Sequence, residues 1–382
     1  MSRDGRARTR WITGLAVAVL LSSCATVRPT GSSVIKRIAS ARVTTASSAP
    51  ASMSFPTPRD GFIAVSDYLA HTSDGASSWS EIRPGLGLIE QVQFLSTQRG
   101  FLLTREGLFS TTDAGSTWSR SGSRRPELRW ISFTTPRTGW GLGDGALWRT
   151  VDSGRTWRRV VTPVTAATAC FLSARTGWIV GSTNPKHSPV VFETVDGGTT
   201  WSSRGIPAKL ESRPAGFSAV YSVDTLSCTT PATIWALIVP AGAGYAGGET
   251  YGLYDSSNGG KSWRIAGVNP GSNKLPYAPS HIPDTLVVAG TATAYIAASC
   301  GGCDTNGTTE VGVLRRGSTR WQTARLKGAG FSAAVLMAFP RASSGWAVTS
   351  HLRSGIYRLS LFQTTDYGRS WMLRPIFGSG ER

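Results

Sequence analysis

The chain has 382 residues, with 40 Lys and Arg against 22 Asp and Glu and a formal net charge of +18. At 40% hydrophobic and 16% charged residues, with mean hydropathy −0.09, it is neither a disordered polyampholyte nor a multi-span membrane protein. The 44 Gly and 14 Trp suit tight turns beside packed aromatics and disfavour a helical bundle, and a pI near 10.5 favours polyanionic neighbours.

The N-terminus reads as an address. Arg3, Arg6, Arg8 and Arg10 precede a short apolar run from Ile12 to Leu21, too short to span a bilayer and therefore an export signal. The run ends Leu21-Ser22-Ser23-Cys24, which resembles the bacterial lipobox. That resemblance implies a signal peptide over 1–23, lipidation of Cys24, and a lipid anchor on the extracytoplasmic face of the cell membrane. Loss of residues 1–23 removes four Arg and one Asp, leaving 36 basic against 21 acidic side chains, or +15. Residues 24–50, rich in Ser, Thr, Ala and Pro, are expected to be a flexible tether. Their one apolar cluster is Val34-Ile35-Lys36-Arg37-Ile38. A folded domain is expected over 51–377, with a disordered tail at 378–382.

Within that domain the chain repeats itself. The pattern Ser/Thr-x-Asp-x-Gly-x-Ser/Thr-Trp recurs around Asp113, Asp152, Asp196 and Asp366, with Asn258 in place of Asp in another copy. In the copy around Asp74 the Gly is displaced by one residue, and a seventh copy keeps little beyond Trp321. A second marker precedes each copy: Gly61-Phe62, Gly100-Phe101, Gly139-Trp140, Gly177-Trp178, Ile234-Trp235, Ala294-Tyr295 and Gly345-Trp346. From marker aromatic to closing Trp the spacing is 17 residues three times, then 23, 28, 26 and 25. The box reads as a hairpin turn, in which Asp accepts from turn N–H groups, Gly takes a left-handed φ and Ser/Thr adds a local bond. Each unit then reads as four antiparallel strands. Around Asp113 these are about Leu88–Phe94, Phe101–Thr104, Leu108–Thr111 and a strand after Trp118. Four-stranded sheets repeated radially make a propeller. The expected fold is all-β, a seven-bladed β-propeller of four-stranded antiparallel blades.

These motifs resemble the Asp-box (BNR) repeats of sialidases and of photosystem II stability and assembly factor-like propellers, over about residues 55–376. The resemblance implies that the boxes lie on the face away from any active site. Asp74, Asp113, Asp152, Asp196, Asn258 and Asp366 are then structural. The texture Phe-x-Thr-Pro-Arg-Thr-Gly-Trp-Gly, followed by Thr-Val-Asp-Ser-Gly-Arg-Thr-Trp, is closer to the assembly-factor-like group and implies a scaffold or assembly role.

Loop lengths point to the face opposite the boxes. The long segments 182–189, 203–219, 240–250, 266–283 and 299–309 project there, and long loops on a rigid ring commonly carry function. His187, Arg213, Tyr245, Glu249 and His281 are the candidate ligand residues on them. Alignment on the marker aromatics places apolar residues seven and nine positions earlier. Eleven positions earlier stand Glu90, Arg129, Asp224 and Asp284, expected at the loop-side mouth of the central channel and the leading candidates for ligand binding. Four cysteines remain besides Cys24. Cys170 and Cys228 fall at nearly the same height on neighbouring inner strands and are expected to pair, as are Cys300 and Cys303. The seam between the Met372–Ile376 region and the first strand near Met53 has one candidate crossing strand, 34–38.

The functional expectation is a non-catalytic extracytoplasmic scaffold for a protein or an envelope glycan, including polyanionic ones. It is attached to the membrane through its lipid alone, binds no nucleic acid, and is a monomer. The alternative is a sialidase-like glycoside hydrolase, which needs an Arg cluster, a Tyr nucleophile with a carboxylate partner, and an acid Asp. Tyr221, Tyr245, Tyr251 and Tyr277 lie near the long loops, but the Phe/Tyr-Arg-Ile-Pro signature of sialidases is missing before the first box, where Phe55-Pro56-Thr57-Pro58 stands. No residue is assigned as catalytic. His71, His187, His281 and His351 lack ligand spacing, and no Gly-rich loop leads into a helix, so no cofactor and no metal are expected.

Overall fold

The computed structural model describes residues 32–38, 40–41, 44–46, 48–122, 126–182, 190–205, 221–240, 251–269, 283–290, 293–298, 309–315, 318, 321–327 and 334–377. They form an all-β propeller of antiparallel sheets. The sheet around Asp113 runs from inner to outer edge as Ile89–Phe94, Gly100–Thr104, Gly107–Thr111 and Ser119–Arg120, close to the strands read from its turn residues. Its inner strand alternates buried and more exposed positions, whereas the second strand is buried throughout. The reason is position: a second strand is covered on both faces by neighbouring sheets, so it loses the polar–apolar alternation of a half-solvated strand.

The expectation of seven uniform four-stranded blades is corrected. Five of the sheets have four strands, with inner strands Ile89–Phe94, Trp130–Phe133, Thr165–Phe171, Tyr221–Cys228 and Pro283–Ala289. The other two have five strands and are built jointly by the two ends of the chain. Val34–Ile38 pairs along Trp79–Arg83 at the outer edge of the first sheet, whose inner strand is Pro50–Ser54. The last sheet has Ala334–Arg341 as its inner strand and Ile356–Thr364 towards its outer side. Met372–Arg374 pairs with residues 361–363 of that outer strand, and Thr44–Ala46 pairs with residues 357–359. A separate two-stranded ladder joins Ser40–Ala41 to Ile376–Phe377. The physical reason is edge protection, since unpaired outer edges at the chain ends would be open templates for association. The same pairings correct the tether expected over 24–50, because three strands lie inside it. They also correct the seam, which Thr44–Ala46 crosses while Val34–Ile38 edges the first sheet.

Sheets are joined by a repeated contact. The marker aromatic of one sheet stacks on the inner-strand Phe of the next: Phe62 on Phe94 at 3.5 Å, Phe101 on Phe133 at 3.5 Å, and Trp140 on Phe171 at 3.8 Å between ring centroids. Trp346 of the last sheet stacks on Phe55 of the first at 5.1 Å, so the ladder runs across the seam. The Gly before the marker follows from this packing. At Gly100 an added Cβ would lie 2.8 Å from the Phe94 ring. Inter-sheet polar rungs lie beside the aromatic ones. Gln93 Oε1 accepts from Phe133 N at 2.8 Å while its Nε2 donates to Phe133 O at 3.0 Å, and Ser54 Oγ accepts from Phe94 N at 2.9 Å. Cys170 occupies the rung position of Gln93 and Ser54, eight residues before its marker. Its disulfide to Cys228, with Cα atoms 6.0 Å apart, is a covalent version of that rung. Cys300 and Cys303 lie outside the described residues.

Candidate binding site at the rim

The repeated turns come first, because their carboxylates look like regularly spaced catalytic groups. In the turn around Asp113, Thr111 Oγ1 donates to Asp113 Oδ1 at 2.7 Å and accepts from Gly115 N at 2.9 Å. Asp113 Oδ1 accepts from Thr117 N at 2.9 Å, and Oδ2 from Thr117 Oγ1 at 2.6 Å. The turns around Asp74, Asp152, Asp196 and Asp366 repeat this set. Asn258 keeps it by accepting from Ser262 N at 2.9 Å and donating Nδ2 to Ser262 Oγ at 2.8 Å. Donors aimed at the carboxylate stabilise its charged form. The hydroxyl of Thr200 leads in holding Asp196 down at about 2. At Asp113 burial opposes, but the Thr117 and Thr111 donors outweigh it and the pKa is lowered. These groups are ionised acceptors already satisfied within their own turns, unsuited to proton transfer near neutrality.

Each turn also bonds the short connection between the first two strands of its own sheet. Ala114 N donates to Gln98 O at 2.9 Å, Ser153 N to Arg137 O at 2.9 Å, and Gly197 N to Arg175 O at 2.8 Å. Turns and connections therefore share one face, and the hairpins between second and third strands lie on the other.

On that other face the aligned charges occupy a common backbone feature. Glu90, Asp224 and Asp284 are the residues skipped where the register shifts between Ile89 and Gln91, Val223 and Thr225, and Pro283 and Thr285. Ala51 and Ala167 sit at the same irregularity in their strands. A bulge re-aims one side chain out of the alternation, so a polar residue interrupts an otherwise apolar inner strand there. Arg129 stands at the end of the shortest of these inner strands, Trp130–Phe133, its N–H donating to Leu142 O at 2.8 Å.

Among the described residues, the two aligned charges Glu90 and Arg129 have different surroundings. Glu90 is turned to Arg105 of its own sheet, at 3.6 Å. The side chains of Asp224 and Asp284 lie outside the described residues, as do His187, Arg213, Tyr245, Glu249 and His281 entirely. Arg129, in contrast, lines a cavity of about 300 Å³ with Trp130, Leu142, Asp144, Ala167 and Thr168. The cavity opens at the junction of the third and fourth sheets. There Thr165–Phe171 packs against the second strand of the neighbouring sheet, Gly139–Gly143, and the short inner strand leaves room. Gly143 permits the approach of the Glu127 carbonyl, which a Cβ would displace. Asp144 (φ 52°) and Gly145 (φ 68°) form the left-handed hairpin tip. Arg129 and Asp144 are both exposed and form no ion pair with each other. The cavity thus brings together a cation and an anion that form no ion pair among the described residues, lined also by Trp130, an arrangement for holding a ligand. Trp130, Asp144 and Thr168 were missed from sequence; the signal was the Gly141-Leu-Gly-Asp-Gly145 run, whose glycines mark a close approach.

No family model matches the chain, and no curated protein does. Among solved structures, YCF48 bound to D1 peptide superposes with a TM-score of 0.52 at 16% identity, over 86% of this chain and 96% of its own. YCF48 from Cyanidioschyzon merolae has a TM-score of 0.44 at 14% identity, over 89% and 88%. A GH74 enzyme from Niastella koreensis has 0.45 at 12%, over 85% and 65%. At such identities the likeness is one of fold alone. It defines the class as a β-propeller.

Proposed function

We propose that this propeller is a non-catalytic binding scaffold, exported and lipid-anchored through Cys24, whose rim opposite the repeated turns takes a peptide segment of a partner protein. The Arg129 cavity carries this reading. It is lined by the Arg129 guanidinium, without an ion pair among the described residues, together with Trp130 and the Asp144 carboxylate, groups suited to a charged, extended chain. The structural neighbour with D1 peptide bound supports a peptide as ligand, because it shares this architecture over most of both chains. The repeated carboxylates are committed to their turns on the other face, so a glycoside hydrolase reading would have to draw its carboxylates from the rim. Fluorogenic sialosides incubated with the purified chain should show no turnover above background. Turnover abolished by Asp224→Ala or Asp284→Ala would overturn the scaffold reading and place chemistry at the channel mouth. For the anchor, cells fed an alkyne fatty acid should label the wild-type chain and leave the Cys24→Ala variant unlabelled.

A further inference from the structure

One face of the ring carries a set of exposed cations that make no ion pair among the described residues, although Arg175 Nε donates to Val195 O at 3.4 Å. Arg59, Arg99, Arg137 and Arg175 stand in the connections between first and second strands, Arg341 ends the inner strand at the same kind of hairpin, and Arg155, Lys261 and Arg369 stand in the repeated turns. All are exposed, and among the described residues none is ion-paired; the ion pairs found engage Arg83, Arg105, Arg204, Arg264 and Arg325. The carboxylates of the repeated turns on this face point into their own turns, where hydroxyl and N–H donors satisfy them, and Asp60 is buried beside His71 at 3.5 Å. On the opposite face Asp67 pairs with Arg83 and Glu90 with Arg105.

The chain enters the fold at that same basic face. Ser33 N donates to Ser116 O at 2.8 Å and Ser33 Oγ to Gly115 O at 2.7 Å, within the second repeated turn. Ser32 bridges to Thr117. Cys24 stands eight positions before Ser32, a reach of at most about 29 Å.

We infer that the face of repeated turns is the membrane-facing side, its Arg and Lys side chains resting on anionic lipid headgroups, so that the Arg129 cavity points away from the bilayer. The charge term is independent of the anchor; the short reach rests on lipidation of Cys24. Exposed basic residues near an anionic surface each strengthen partitioning by about fivefold, and salt screens the effect.

The test is hydroxyl-radical footprinting of the full lipidated chain on vesicles of phosphatidylcholine, alone or mixed with phosphatidylglycerol. On mixed vesicles the connections around Arg59, Arg99 and Arg137 should be protected while the 143–145 hairpin stays reactive. Protection should fade in high salt and in the Arg59→Glu/Arg99→Glu/Arg137→Glu variant, whose melting temperature should match wild type. Uniform reactivity, or protection of the 143–145 hairpin, would overturn the assignment. So would capture of soluble polyglutamate… without vesicle-dependent protection, which would give the face to an anionic polymer. Failure to float with neutral vesicles would contradict the Cys24 anchor alone. In that event sedimentation with mixed vesicles reads the basic face: binding that falls at least about fivefold per reversed Arg supports it, and no binding overturns it.

Discussion

A single side chain decides whether each repeated turn forms. Asp113 takes bonds from Thr111, Thr117 N and Thr117 Oγ1, and Asn258 shows that an amide satisfies the same geometry when the hydroxyl becomes the acceptor. Asp113→Ala should therefore cost about 2 kcal/mol in urea unfolding, from lost hydrogen bonds at a partly buried site, while Asp113→Asn should cost less than half of that. The acid response follows the same residues. Their pKa values are lowered in the fold, Asp196 to about 2 from an ordinary 3.8. This contribution to stability is complete above the unfolded value and lost as pH falls through the folded one. Melting temperature should be flat with respect to these groups above about pH 5 and fall between about pH 4 and 2. A midpoint near pH 6 would point to other groups.

At the scale of elements, the spacing between sheets is set by rungs that alternate aromatic, polar and covalent contacts. Gly100→Ala should cost about 1–3 kcal/mol by overpacking against the Phe94 ring, seen as a lowered melting temperature. Reduction of Cys170–Cys228, which closes a 58-residue separation, should cost about 2–4 kcal/mol. Much of this was legible in the sequence, because turn chemistry is local. Asp, Gly and Trp at fixed offsets specify a hairpin without knowledge of the rest, and Cys170 and Cys228 could be aligned on the same marker. The cavity was not legible. It arises because Trp130–Phe133 is short and the neighbouring sheet packs one strand further out, a difference between two neighbouring sheets that a repeat alignment averages away. Nor could alignment tell that Glu90 would turn to Arg105 while Arg129 lines a cavity with no ion pair among the described residues.

At the scale of the whole molecule, the two ends of the chain hold each other. Thr44–Ala46 lies on the last sheet, Val34–Ile38 on the first, and Ser40–Ala41 against Ile376–Phe377. Phe377 is fully buried against Trp79, with ring centroids 5.6 Å apart. The Ser, Thr, Ala and Pro content of 24–50 hid this, because strands added at an edge take their order from backbone pairing and need few apolar side chains. Removal of residues 32–46 should lower stability by about 3 kcal/mol or more, the worth of several ladder bonds, in guanidinium unfolding. An unchanged midpoint would show the ring closing without them.

If the ring presents a peptide-binding rim, as proposed, capture of a peptide should depend on Arg129. The most direct measurement is binding of the full chain to an array of peptides and glycans, wild type beside Arg129→Glu. A subset of acidic peptides should be bound by wild type and lost in the variant. Glycan binding indifferent to Arg129, with no peptide retained, would contradict the proposal.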